Sequence, residues 1–82
     1  MELRILLFAG VRDAAGSDVL DVTVADHATA SDVIDLAAAQ IPEAADLIRF
    51  SRVAVDGQYV AADHVVDQAD CEIALIPPVS GG

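Results

Sequence analysis

The chain reads as an α+β domain, a mixed sheet crossed by one main helix, on three observations. Two apolar runs without alternation, Ile5-Leu6-Leu7-Phe8 and Ile73-Ala74-Leu75-Ile76, lie near opposite ends of the chain. One longer helical stripe lies between them, and the remaining apolar stretches are short and either alternate or flank a turn dipeptide.

Taken in order, Leu3 to Ala9 reads as a strand buried on both faces, since its apolar residues run together. Gly10 to Asp18 is rich in turn formers, with room for one helical turn over Val11 to Ala15. Leu20 to Val24 alternates, Leu20, Val22 and Val24 on one face and Asp21 and Thr23 on the other, so it is a half-exposed strand paired to the first as a hairpin. Thr29 with Asp32 three positions on forms a capping box ahead of a stripe at Val33, Ile34, Ala37, Ala38 and Ile41. Pro42 ends that helix, and Glu43 to Ile48 adds a short turn. Arg52 to Val55 and Gln58 to Val60 are short strands around the hairpin signal Asp56-Gly57. Cys71 to Ile76 closes the pattern. Side by side in the centre, the first and last strands make a sheet with one crossing helix, the β-grasp or ubiquitin-like fold. Residues 1–76 form that domain, and 77–82 form a flexible, extended tail.

Composition bounds the function. The chain has 82 residues and is 55% hydrophobic, enough to fold as one small domain, but 16 residues are Ala and only Phe8, Phe50 and Tyr59 are aromatic. Its net charge is −10, and all four basic residues are Arg (Arg4, Arg12, Arg49, Arg52). Nucleic acid is excluded as a ligand, because no basic stripe exists to release counterions from a phosphate backbone. The same acidity would draw in a partner with a basic docking surface, or serve solubility in a salty cytoplasm. A single Cys71 gives no internal disulfide, and the first apolar run is too short to span a bilayer and lacks a basic leader, so a cytoplasmic, membrane-free address is expected.

The last six residues, Pro77-Pro78-Val79-Ser80-Gly81-Gly82, cannot continue the sheet. The two prolines lack an N–H and favour an extended rod. Gly81 and Gly82 carry no Cβ, which would let the end enter a channel too narrow for side chains. Six extended residues reach roughly 20 Å. A frayed terminus is the plain alternative, but it would not need two prolines leading out of a central strand. The only group such an end offers is the α-carboxylate, ionised and unreactive at neutral pH. Adenylation by another protein would make it a mixed anhydride, from which a sulfur or nitrogen nucleophile displaces AMP.

With these residues in view, the chain resembles the small subunit of molybdopterin synthase, a ubiquitin-like sulfur carrier. The likeness runs nearly end to end and rests on Leu6-Leu7-Phe8-Ala9-Gly10-Val11-Arg12-Asp13, on Val53-Ala54-Val55-Asp56-Gly57-Gln58-Tyr59-Val60, and above all on Ala74-Leu75-Ile76-Pro77-Pro78-Val79-Ser80-Gly81-Gly82. It implies that an ATP-dependent adenylating and sulfurating enzyme converts Gly82 to a thiocarboxylate. The tail then enters the large subunit within a heterotetramer, and sulfur passes to cyclic pyranopterin monophosphate to build the molybdopterin dithiolene. This chain would be a sulfur-donating, non-catalytic subunit, with no bound cofactor or metal and with the catalytic side chains on its partner. Gly82 carries the reacting group, and Gly81, Ser80, Val79, Pro78, Pro77, Ile76, Phe8 and Arg12 are the implied partner-binding residues. Asp13 stands where the family often has Glu, and Gln68-Ala69-Asp70 where it often has Asp-Gly-Asp; neither change touches the tail.

Arg12 has two roles open to it, an ion pair with Asp13 or Asp18 that holds its loop, or contact with the partner. Phe8 and Ile76 are likewise either core residues or interface anchors. Cys71 reads as a packing thiol. His27 and His64 stand far apart with no motif around either, and the aspartates match no Ca²⁺ loop. Two other functions fit the tail. One is a modifier joined through Gly82 to lysines of target proteins, although without Lys the chain cannot build polymers on its own side chains. The other is a sulfur carrier for thiazole or tRNA thiolation.

Overall fold

A computed structural model describes residues 1–66 and 72–78. The elements are β1 (Glu2–Leu7), α1 (Ala9–Ala15), β2 (Val19–Thr23), α2 (Ala30–Gln40), a 3₁₀ turn (Pro42–Ala44), α3 (Ala45–Arg49), β3 (Arg52–Val55), β4 (Gln58–Tyr59) and β5 (Ile73–Ile76). They build one five-stranded sheet in the order β2-β1-β5-β3-β4. The first and last strands are central and parallel, with Ile5 opposite Ile73 and Leu7 opposite Leu75, and every other pair is antiparallel. This is the β-grasp arrangement that the strand order predicts.

One face of the sheet carries the core. Leu3, Ile5 and Leu7 of β1, Val22 of β2, Val53 of β3 and Ile73 and Leu75 of β5 are buried against Val33, Ala37 and Ala38 of α2 and Ile48 of α3. Full burial of a Leu or Ile side chain contributes about 1.5–3 kcal/mol, so the aliphatic rows of β1 and β5 dominate the fold. The capping box forms: Thr29 Oγ1 accepts from the Asp32 N–H at 3.2 Å, and Asp32 Oδ2 accepts from the Thr29 N–H at 2.9 Å. At the β3–β4 turn Asp56 (φ 51°) and Gly57 (φ 83°) both lie in the left-handed region that a tight two-residue hairpin requires.

Several boundaries differ from the sequence reading, β2 (Val19–Thr23 for Leu20 to Val24) and β4 (ending at Tyr59 for Val60) by a single residue. β1 stops at Leu7, and Ala9 begins a seven-residue helix longer than the single turn foreseen. Burial along β1 alternates, with Leu3, Ile5 and Leu7 buried, Leu6 half-buried and Phe8 exposed, so the strand is covered on one face only. The reason is that α2 and α3 pack on a single side. β5 begins at Ile73; Cys71 lies outside the described residues, as do Val79, Ser80, Gly81 and Gly82. No helix among the described residues is long and apolar enough to cross a membrane.

Candidate functional site

Parallel pairing of β1 with β5 brings their C-terminal ends, Leu7-Phe8 and Leu75-Ile76, out at the same edge. β3 runs the other way, so its first residue, Arg52, lies opposite Ile76. The base of the tail is thereby framed by Phe8, which links β1 to α1, and by Arg52 from β3. Pro77, foreseen as the first residue of the tail, is itself buried, and Pro78 is exposed.

Side chains that alternate away from the core form a second, uncovered face. Strand register places Leu6, Ala74, Ala54 and Tyr59 in one row across β1, β5, β3 and β4. Ala54 and Ala74 keep the middle of that row low. A shallow groove of about 280 Å³ results, lined by Phe8, Ala54, Gly57, Tyr59, Glu72, Ala74 and Ile76. Phe8 is 42% exposed and Tyr59 53%. With Phe50 at 76%, every aromatic ring of the chain faces solvent, and the core is wholly aliphatic. A protein this short of aromatic residues gains no core stability from them where they stand, and exposed apolar surface of this kind is where interaction sites concentrate.

Ala9 has φ 51°, a left-handed conformation that costs an L-residue about 1–2 kcal/mol. That conformation turns the chain from the strand into α1 directly beside the tail base, and stored backbone strain of this kind concentrates at working sites. Arg12, on α1, has its Nε 3.9 Å from Asp18 Oδ1, a loose ion pair across the α1–β2 loop, with half of its side chain exposed. Of the two carboxylates considered for it, Asp18 is the one it faces.

Sequence reasoning did not single out Arg52 and Tyr59, whose places in the site depend on register. The Arg52 guanidinium carbon stands 4.2 Å from the Tyr59 ring centroid. The signal was present in the alternation of β3, where Val53 points inward and Arg52 and Ala54 outward. His27 and His64 are both exposed, and no group of three His, Cys, Asp or Glu among the described residues is arranged to hold a metal ion. Among the described residues the site offers an exposed apolar groove and no catalytic constellation.

Comparison with known proteins agrees with that geometry. The model of the ThiS family matches residues 5–82. The molybdopterin synthase sulfur carrier subunit of Dictyostelium discoideum is 32% identical over 83 residues, covering 99% of this chain and 96% of that protein. Small archaeal modifier protein 1 of Haloferax volcanii superposes with a TM-score of 0.79 at 28% identity, over 95% of this chain and 98% of that one. Subunit 1 or 2 in a complex of molybdopterin-converting factor from Helicobacter pylori shares the fold, with a TM-score of 0.60 at 15% identity and full coverage of both chains.

Proposed function

The chain belongs to the ThiS family, and from that premise we propose that it is a sulfur carrier of molybdenum cofactor synthesis. The observation that carries the reading is the placement of β5: it ends at Ile76, in the centre of the sheet and beside the groove edged by Phe8, Ile76 and Tyr59, and the sequence goes on from there as Pro-Pro-Val-Ser-Gly-Gly. The sulfur-carrier name of the 32% identical relative supports it.

In this reading the Gly82 carboxylate attacks the α-phosphorus of ATP on an adenylating enzyme, pyrophosphate leaves, and an acyl-adenylate forms. A persulfide of the sulfurating enzyme then attacks the acyl carbon and expels AMP to give an acyl disulfide. A second thiol cleaves its S–S bond, leaving the thiocarboxylate on Gly82 and a disulfide on the enzyme; hydrosulfide would give the thiocarboxylate directly. The groove seats the domain on the large subunit of molybdopterin synthase. Residues 77–82 span the distance to the reaction, with glycines at the end because a side chain there would have to be accommodated in the channel. The sulfur goes to cyclic pyranopterin monophosphate. This chain contributes the acyl group and the docking surface, and the partner contributes the proton transfers.

A second reading, a modifier attached through Gly82 to lysines of other proteins, is favoured by the likeness to small archaeal modifier protein 1. Intact mass spectrometry after incubation with ATP, the activating enzyme and a sulfur source separates the two. The carrier gains the mass of one oxygen replaced by sulfur. A modifier appears instead in covalent adducts with other proteins. Loss of loading on deletion of Gly82, with the melting temperature unchanged, is the expected control; loading of the deletion variant would overturn the assignment of the reacting carbonyl.

A further inference from the structure

We propose that Arg52, laid over Tyr59, is the residue that fixes the register of docking by pairing with one acidic side chain of the protein that receives the tail. The proposal deepens the carrier reading and rests on it.

Three of the four arginines already face a carboxylate of their own chain. Arg4 Nε is 3.1 Å from Asp21 Oδ1, Arg49 Nη1 is 3.3 Å from Asp35 Oδ1, and Arg12 Nε is 3.9 Å from Asp18 Oδ1. Among the described residues Arg52 has no such neighbour, although the chain carries 14 acidic side chains. Its position is held by other means. The guanidinium stacks on the Tyr59 ring at 4.2 Å, a contact favourable to cation and ring alike. Stacking restrains a long side chain before the partner arrives, which lowers the entropy lost on binding and leaves the in-plane N–H donors free for a bidentate acceptor.

Place and charge identify the occupant. Arg52 lies directly opposite Ile76, the last residue of β5, on the outward face beside the groove. Any protein that holds residues 77–82 therefore passes within reach of this side chain. On a molecule of net charge −10 the rest of that protein's contact face must be neutral or basic, since like charges across an interface are costly. Arg52 is the one described point at which an Asp or Glu of the partner is accepted, and that makes it a key for alignment. A nucleotide phosphate fits less well, because a single guanidinium would have to hold a polyanion against the field of the whole chain.

The test is binding of the full-length chain to the molybdopterin synthase large subunit from the same organism, by calorimetry at low and high salt. Arg52→Gln should weaken binding about 10-fold or more at low salt and lose part of the salt dependence, with an unchanged melting temperature. Arg52→Glu should weaken it further, and one Asp or Glu→Arg change near the partner's tail channel should restore the Arg52→Glu variant. Equal affinity of Arg52→Gln and the parent chain would overturn the proposal while leaving the carrier reading intact. So would saturable ATP binding by the chain alone that Arg52→Gln abolishes, since that would give the guanidinium to a phosphate. Failure of the parent chain to bind at all, or to accept sulfur, would instead sink the carrier reading and this proposal with it.

Discussion

Ala54 and Ala74 stand directly opposite one another on β3 and β5, their methyl groups forming the floor of the outward groove. Each is nearly inaccessible, at 8% and 7% exposure, because larger neighbours rise around it. Ala74→Leu would fill the depression between Phe8, Ile76 and Tyr59 without entering the core on the other face. The expected outcome is a loss of affinity for the large subunit of roughly tenfold or more, about 1.4 kcal/mol per factor of ten, with the melting temperature shifted by no more than a few degrees. Calorimetry and thermal melting together check it. A cooperative collapse of the fold would show that the floor is structural.

Ala9 supplies a prediction of unusual sign. Gly within a helix ordinarily costs about 0.5–1 kcal/mol relative to Ala. At φ 51° the same change removes the left-handed penalty, so Ala9→Gly should be neutral or stabilising by up to about 1 kcal/mol. Ala14→Gly, inside the same helix and exposed, should be destabilising by about 1 kcal/mol. Urea denaturation of the two variants side by side reads the contrast, and equal losses would refute the strain at Ala9.

The turn at Ala9 also marks where the sequence stopped being readable. The β-grasp topology was legible because period-2 alternation in β2, the Thr29–Asp32 box ahead of α2 and the Asp56-Gly57 turn are local signals that tertiary packing had no reason to overturn. The family resemblance, carried by the C-terminal residues, is borne out by the family match. The reading of β1 as doubly buried failed, because an unbroken apolar run has two physical meanings. Leu6 and Phe8 are apolar on the face that α2 does not cover, where in the carrier reading an apolar surface serves docking rather than packing. Only strand register tells these apart. It also decides that Tyr59 and Arg52, seven positions apart in sequence, meet ring to guanidinium beside Ile76.

The capping box offers a test of the helix that positions the whole inner face. Thr29 and Asp32 satisfy each other's backbone N–H groups reciprocally. Thr29→Ala or Asp32→Ala alone should cost about 0.5–2 kcal/mol, the latter including the loss of negative charge at the N-terminus of α2. The double variant should cost less than the sum, because each half of the box supports the geometry of the other. A denaturant double-mutant cycle measures the coupling, and strict additivity would mean that the two bonds act independently.

Finally, an activated glycine acyl-adenylate is attacked by whatever amine it meets, and this chain presents almost none. There is no Lys anywhere in the sequence, and the Met1 amino group donates to the Val24 carbonyl at 2.9 Å. Incubation with the activating enzyme and ATP in the absence of a sulfur donor should therefore yield hydrolysed or adenylated monomer and no multimers. Arg4→Lys, which places an amine on the exposed outward face of β1, should allow an amide to form between the Gly82 carbonyl of one copy and the new side chain of another, with loss of AMP. Denaturing electrophoresis and intact mass detect that product. Multimers from the parent chain would show that the Met1 amine is open to attack, whereas none from Arg4→Lys would show that the activated end is shielded by the enzyme rather than spared by composition.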